Sequence, residues 1–209
     1  TSGAPAAYAA AKEGKKTIVI DMNPGFGGTG TYGGVDSYWG PGDYNGFTAS
    51  HIKKTTEINK SFSKFFPSNG YGLWSVEAKM AMWLQEIRNS GAQILWNSFV
   101  IGTIMEENKV IGVVVSTPQG VMAVKSKIVI DATGDGDVAA FAGAPFVFGS
   151  EQNNVPLWYA LRRQSKPGPT QSIFQSTVDV TNIEDYPRSV HVGLRTGGDK
   201  LHDHQPYLA

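Results

Sequence analysis

A run of small residues, Thr1-Ser2-Gly3-Ala4-Pro5-Ala6-Ala7-Tyr8-Ala9-Ala10-Ala11-Lys12-Glu13-Gly14, leads directly into Lys15-Lys16-Thr17-Ile18-Val19-Ile20-Asp21. No other stretch constrains the fold as strongly. The alanines favour a helix, and Gly14 is placed to end it. Thr17 to Ile20 reads as a strand that Asp21 closes. Gly3 and Ala7 fall one turn apart on one helical face and allow that helix to approach strands closely. Helix, strand and acid in this order match the later part of a dinucleotide-binding unit, with Gly3 as the third glycine of G-x-G-x-x-G. An acid about 20 residues after such a glycine loop accepts hydrogen bonds from both ribose hydroxyls and repels a 2′-phosphate. The plainer alternative makes Asp21 a simple strand end; the agreement of spacing, strand and acid favours the nucleotide. The strand and glycines that precede Gly3 in such a unit are expected from residues outside this sequence, because a sheet lacking its first strand exposes unpaired edges.

With 209 residues, the chain has room for one large domain or one and a half small ones. Eighteen basic residues balance 18 acidic ones, so nothing argues for nucleic acid or an anionic membrane as partner. No apolar run approaches the roughly 18 residues of a membrane span. The absence of cysteine excludes disulfides, thiolate metal sites and a redox-active dithiol within the sequence, and leaves no sign of compartment.

Many of the 25 glycines cluster after Asp21, in Met22-Asn23-Pro24-Gly25-Phe26-Gly27-Gly28-Thr29-Gly30-Thr31-Tyr32-Gly33-Gly34. Backbone N–H groups in such loops form anion-binding concavities. A long glycine loop with hydroxyl residues suits a cofactor bulkier than a nicotinamide dinucleotide, one whose pyrophosphate and flat ring pass close to the backbone. A flexible surface loop is the alternative. The turn-rich segment from Val35 to Phe47 offers Tyr38, Trp39 and Tyr44 as lining for a substrate pocket, or as anchors to the core.

A helix is expected from about Thr48 to Phe66, capped by Thr48 or Ser50, with Ile52, Ile58, Phe62, Phe65 and Phe66 as apolar contacts and His51 exposed or capping in its first turn. Ser75 is placed to cap the next helix, where Val76, Met80, Trp83, Leu84 and Ile87 form a core stripe ended by Gly91. Strands follow at 93–96, 99–105, 110–117 and 121–124, the last three joined by Glu106-Glu107-Asn108-Lys109 and Pro118-Gln119-Gly120 as an antiparallel meander inserted in a parallel fold. Lys127-Ile128-Val129-Ile130-Asp131 then reads as a buried strand entering Ala132-Thr133-Gly134-Asp135-Gly136-Asp137 and a helix over about 138–142. Small residues at a strand-to-helix turn leave room for a nucleotide; acids there also stabilise a helix start.

This order resembles the FAD-binding domain of the glutathione-reductase-type flavoproteins. The run from Ile130 to Ala140, continuing through Ala142-Gly143-Ala144-Pro145-Phe146, is similar to the FAD-dependent oxidoreductase family. The resemblance covers about residues 1–149 and implies an α/β, Rossmann-like FAD-binding domain with the meander as an insertion, followed over 150–209 by the start of an α+β substrate-binding domain. It implies that Ser2 and Gly3 lie at the pyrophosphate, Asp21 and Met22 at the adenosine ribose, and Gly27, Gly28 and Thr29 along the path to the flavin. Val100 would pair its backbone with adenine, and Ala132, Thr133 and Gly134 would pass beside the same half. The front of the fingerprint and the later glycine–aspartate segment that holds the ribitol are missing. The resemblance therefore implies a flavin site completed by further segments of the same polypeptide or by a partner chain.

Beyond Gly149, Thr177 to Thr181 reads as a strand of the substrate domain. His191, Arg195, His202 and His204 are its ionisable groups with obvious chemistry; the last two have strand-borne metal-pair spacing but read as unligated. The expected activity is hydride transfer between FAD and a small organic substrate, with His191, Arg195 and Tyr44 as candidates for the polar catalytic role. Three alternatives are a non-catalytic binding or assembly subunit of the same fold, an amide hydrolase with Thr1 as N-terminal nucleophile, and an NAD-only dehydrogenase. The dinucleotide-loop placement of Thr1 and the glycine loop after Asp21 disfavour the last two.

Overall fold

A computed structural model describes residues 1–35, 44–62, 74–147, 159–164, 170–175, 182–184 and 187–188. The chain forms two compact units, Thr1–Pro145 and Phe146–Ala209. In the first, α1 (Gly3–Lys12) leads to β1 (Ile18–Ile20), a 3-10 turn (Gly28–Gly30), α2 (Gly46–Phe62), α3 (Val76–Ser90) and β2 (Gln93–Leu95). Next come β3 (Phe99–Glu106), β4 (Lys109–Thr117), β5 (Gly120–Lys125) and α4 (Asp137–Phe141).

Helix α1 buries Ala4, Ala7 and Ala11, the small-residue face at helical spacing. It ends as expected at Gly14, with φ of 73°. The Gly14 N–H donates to the Ala11 carbonyl at 2.9 Å and the Lys15 N–H to Ala10 at 3.1 Å, which satisfies two of the open carbonyls of the last turn. Strands β1 and β2 pair in parallel, Ile18 with Gln93, Val19 with Ile94 and Ile20 with Leu95. Their side chains alternate between two cores. Val19 and Ile94 join Ala4, Ala7, Ala11, Phe26, Met82, Trp83 and Ile87 on the helical side. Ile20 and Leu95 join Val100, Val113, Val115, Val124, Val129 and Val138 on the other.

Strands β3, β4 and β5 form the expected antiparallel sheet in that order, with β3 at an edge and irregularities after Val100 and Ile104. The Ser75 hydroxyl caps α3 by accepting the Ala78 N–H at 3.0 Å, and Gly91 ends it at φ 83°. The buried face of α3 is Ala78, Lys79, Met82, Trp83 and Ile87, rotated from the expected stripe so that Val76, Met80 and Leu84 are half-buried at its margin.

Two expectations are corrected. Helix α2 starts at Gly46, at φ +55°, so neither Thr48 nor Ser50 is its cap; the Ser50 hydroxyl instead donates to the Phe47 carbonyl at 2.9 Å. The earlier start turns His51, Thr55 and Asn59 inward, and His51 is buried rather than exposed. Residues 127–131 join no sheet among the described residues. Ile128 and Ile130 are 78% and 61% exposed, and only Val129 packs on the second core. Three apolar β-branched residues suggest a strand, but a strand needs a ladder partner, and no described strand lies alongside.

In the second unit, β6 (Tyr159–Gln164) and β7 (Thr170–Gln175) pair antiparallel. The strand expected at 177–181 lies outside the described residues, as do residues 63–66 of the expected second helix.

Candidate functional site

The site is built where α1 begins. Ser2 already has helical backbone angles and gives no side-chain cap, and Pro5 has no N–H to offer. The first-turn amides of α1 at Gly3 and Ala4 therefore donate to no described side chain, an arrangement that favours an anion. Gly3 is pressed against the loop that follows residue 131: a Cβ on Gly3 would stand 3.2 Å from the Ala132 Cβ. Gly3 and Ala132, 129 positions apart in sequence, thus share one spot.

The glycine loop reaches the same spot. Thr29 donates its N–H to the Thr1 hydroxyl at 3.0 Å. Gly28, at φ +53°, leaves no room for a side chain, since a Cβ there would lie 2.5 Å from the Thr1 nitrogen. This loop is no flexible surface segment. Phe26 anchors it, 1% exposed, with its ring 4.2 Å from that of Trp96. The buried Thr31 hydroxyl donates to the Phe26 carbonyl at 3.0 Å, and the Gly33 and Val35 N–H groups turn back onto Gly28 and Thr29.

Asp21 leaves β1 half-buried. Its N–H donates to Leu95, its carbonyl accepts the Ser98 N–H at 3.1 Å, and its Oδ1 accepts the Asn23 N–H at 2.9 Å. Burial raises its pKa above the usual carboxylate value, against the hydrogen bonds from Asn23. Met22 beside it is 54% exposed. The Ser98 bond brings the start of β3 next to Asp21, and Val100, half-buried in the second core, lies on that edge strand just before its irregularity.

The loop after residue 131 is organised by its own side chains. The Asp131 Oδ1 accepts the Thr133 N–H and hydroxyl at 3.1 and 2.7 Å, and its Oδ2 accepts the Ala139 N–H at 3.1 Å. The Thr133 hydroxyl in turn accepts the N–H groups of Gly136 and Asp137. Burial opposes charge on Asp131, but the combined bonds from Thr133, Ala139 and Val138 outweigh it and hold the carboxyl below its usual value. The Thr133 side chain is so engaged, and nothing stands within 4 Å of a Cβ built on Gly134.

Helix α3 contributes a group with no counterpart among the expected site residues. Lys79, only 6% exposed, holds its Nζ 3.2 Å from the centroid of the Trp74 ring. The Trp74 indole N–H donates to the Gly30 carbonyl at 2.9 Å, and a Cβ on Gly30 would stand 3.1 Å from the Lys79 Nζ. Burial lowers the Lys79 pKa to about 8. A charged residue one turn before Trp83, inside an apolar stripe, was the readable signal for it.

The structure thus gathers Gly3, Gly28, Thr29 and Ala132 around the start of α1, and sets Asp21 beside the approach to Val100. Gly27, at φ +118°, opens the 3-10 turn. Tyr44 is half-buried two residues ahead of α2. His191 and Arg195 lie outside the described residues, as do Tyr38, Trp39, His202 and His204. Among the described residues no group of three or more His, Asp or Glu side chains is placed to hold a metal, and no helix is long and apolar enough to cross a membrane.

The aromatic hydroxylase CabE of angucycline biosynthesis matches with a TM-score of 0.54 and 16% identity, over 96% of this chain and 48% of its own. A geranylgeranyl bacteriochlorophyll reductase-like protein from Thermoplasma acidophilum matches with a TM-score of 0.52 and 14% identity, over 99% of this chain and 62% of its own. At such identities the likeness is one of fold, a mixed α/β architecture with parallel and antiparallel sheets, and the chain spans less than two thirds of either structure. Among curated proteins no sequence relative matches. The model of the FAD dependent oxidoreductase family, however, matches residues 1–197, and the chain belongs to that family.

Proposed function

We propose that the protein is a flavin-dependent oxidoreductase that binds FAD across the start of α1 and transfers a hydride between it and a small organic substrate. The observation that carries this reading is the meeting of Gly3 with Ala132 beside a glycine turn pinned to Thr1. Two stretches distant in sequence there meet through small residues. The residues fit the cofactor. Open amides at Gly3 and Ala4, with the exposed Ser2 before them, suit a diphosphate, and the half-buried Asp21 carboxylate, with Met22 beside it, suits a ribose diol. Gly27, Gly28 and Thr29 offer a close backbone path away from the diphosphate. Edge strand β3 leaves outward backbone groups near Val100 for an adenine, and Ala132, Thr133 and Gly134 close the nucleotide side.

When bound, FAD supplies the two-electron redox chemistry. The chain's part is to orient the dinucleotide, exclude water with Phe26 and Trp96 behind the loop, and position the substrate. Residues 150–209 begin the substrate-binding domain, in which His191 and Arg195, together with Tyr44 from the first unit, are the candidates to hold a substrate proton or anion. Further segments of the same polypeptide or a partner chain complete the flavin site, and the three-stranded sheet is an insertion in the nucleotide fold.

The absorption spectrum of the purified full-length protein, before and after incubation with FAD and desalting, tests this. Retained flavin bands, weakened by Asp21→Ala, support the reading. Colourless protein that retains no FAD refutes it.

A further inference from the structure

We infer that Trp74 is a positioning residue for the flavin half of the dinucleotide: by holding the Gly30 carbonyl, it fixes the Gly28 and Thr29 backbone that the cofactor follows. This rests on the FAD-binding reading and adds to it a residue just ahead of α3, outside the nucleotide fingerprint. Trp74 is 5% exposed, and its indole N–H donates to the Gly30 carbonyl at 2.9 Å across 44 positions of sequence. The ring is seated by Lys79, whose Nζ lies 3.2 Å from its centroid. Gly30 is itself buried, so loss of the indole N–H leaves a buried carbonyl short of a donor.

The turn needs such a hold. Gly27 and Gly28 sit at φ of +118° and +53°, and glycine leaves such conformations readily for others. Hydrogen bonds inside the turn, from the Gly30 N–H to Gly27 and the Thr31 N–H to Gly28, pass any shift of Gly30 to both residues. The next residue along, Thr29, donates its N–H to the Thr1 hydroxyl at 3.0 Å. The turn is thus gripped by two elements, through Thr1 by the start of α1 and through Trp74 by the chain entering α3. Without the Trp74 bond, ordering of the turn falls to the ligand and weakens its binding. If the freed turn keeps this conformation about one tenth of the time, affinity falls about tenfold. A tryptophan serving only the core would lower stability and leave the affinity of the folded protein unchanged.

Binding by the full-length protein decides between the two. Trp74→Phe keeps an aromatic face for Lys79 and removes the N–H. Ile87→Val, fully buried at the far end of α3, supplies a control of reduced stability with the turn intact. Dissociation constants are measured for FAD by flavin fluorescence and for ADP by competition; ADP carries the adenosine and both phosphates but no flavin half. Trp74→Phe should weaken FAD about tenfold and ADP by at most about twofold. Ile87→Val should lower the melting temperature and leave both affinities unaltered. Hydrogen exchange without ligand should be about tenfold faster in Trp74→Phe over residues 27–35, and unaltered over α1. If Trp74→Phe does not fold, exchange in the unaltered protein decides. The bonded amides of Gly30, Thr31, Gly33 and Val35 should then exchange as slowly without FAD as those of α1, and fast exchange overturns the inference. Unaltered FAD affinity in Trp74→Phe, or an equal loss for FAD and ADP, also overturns it and leaves the FAD reading standing. Failure of the unaltered protein to bind FAD overturns both.

Discussion

Gly3 and Ala132 stand so close that a Cβ on the first would lie 3.2 Å from the Cβ of the second, and this contact joins the start of α1 to the loop that leads into α4. Alanine at position 3 gains helix propensity but must push Ala132 aside by a few tenths of an ångström. The crowding is expected to win. Gly3→Ala should cost about 1 kcal/mol and Gly3→Val about 2–3 kcal/mol in urea unfolding. Adding Ala132→Gly to Gly3→Ala should recover most of the loss, with a coupling energy of about 1 kcal/mol in the double-mutant cycle. Strict additivity would place the two residues out of contact.

Asp21 is expected to weaken the apo-protein while serving the ligand. Burial raises its pKa, so the folded state holds a proton to higher pH than the unfolded chain does. Stability from this group is therefore greatest in acid and declines as pH rises from the usual carboxylate value through the raised one. Asp21→Asn should remove that slope, raise the melting temperature at neutral pH by about 2 °C, and weaken FAD binding by about tenfold or more. Thermal melts across pH, paired with FAD titrations, check both halves. A variant less stable at neutral pH and unchanged in FAD affinity would contradict them.

Much of this arrangement is legible in the sequence because it depends on local rules. The alanine face, Gly14 at the helix end, the Ser75 cap, Gly91 and the three strands of the antiparallel sheet follow from propensity and turn chemistry and occur where expected. What is not legible depends on partners distant in sequence. Ile128 and Ile130 look like strand residues, yet no described strand pairs with them. The inward turn of His51 depends on α2 beginning two residues early at Gly46, a left-handed glycine that sequence alone does not distinguish from other loop glycines. The burial of Lys79 depends on Trp74 folding back over the glycine turn.

His51 supports the α1–α2–α3 junction. Its ring stacks on Trp83 at 4.8 Å, lies tilted against Phe47 at 4.1 Å, and meets Tyr8 of α1 edge-on at 5.6 Å. Its Nδ1 lies 2.8 Å from the Phe47 carbonyl, which requires the proton on that nitrogen. His51→Ala should cost about 3 kcal/mol in denaturant unfolding through lost packing. His51→Phe should cost about half as much, because the ring is kept and the hydrogen bond lost. Equal losses would assign the role to the hydrogen bond rather than the stack.

The Asp131–Thr133 turn predicts an acid sensitivity of opposite sign to Asp21. Hydrogen bonds hold the Asp131 carboxyl below its usual value despite burial, so its contribution is present above the usual carboxylate range and is lost as pH falls through the lowered one. Asp131→Asn should therefore lose stability at neutral pH and little in acid. Thr133→Val removes both the acceptor of the Gly136 and Asp137 N–H groups and the hydroxyl that donates to Asp131, so it should cost about 1 kcal/mol in acid and more near neutral pH, where the carboxylate is charged. Urea melts near neutral pH and in acid separate the two patterns. A pH-independent loss for Asp131→Asn would mean that the charge of the carboxylate plays no part.

Lys79 supplies the basic-side counterpart. With a folded pKa of about 8 against 10.5 in the unfolded chain, the folded protein releases this proton first as pH rises. Between those values the unfolded state holds more protons, so stability should climb with pH across the window. The amine is 6% exposed, and the climb attributable to it is on the order of 3 kcal/mol. Lys79→Met should flatten the curve and be more stable than the unaltered protein at pH 7, where burial penalises the charged amine. The stability of the unaltered protein and of Lys79→Met from about pH 8 to about pH 10 is the measurement. An equal slope in the two would separate the climb from the lysine.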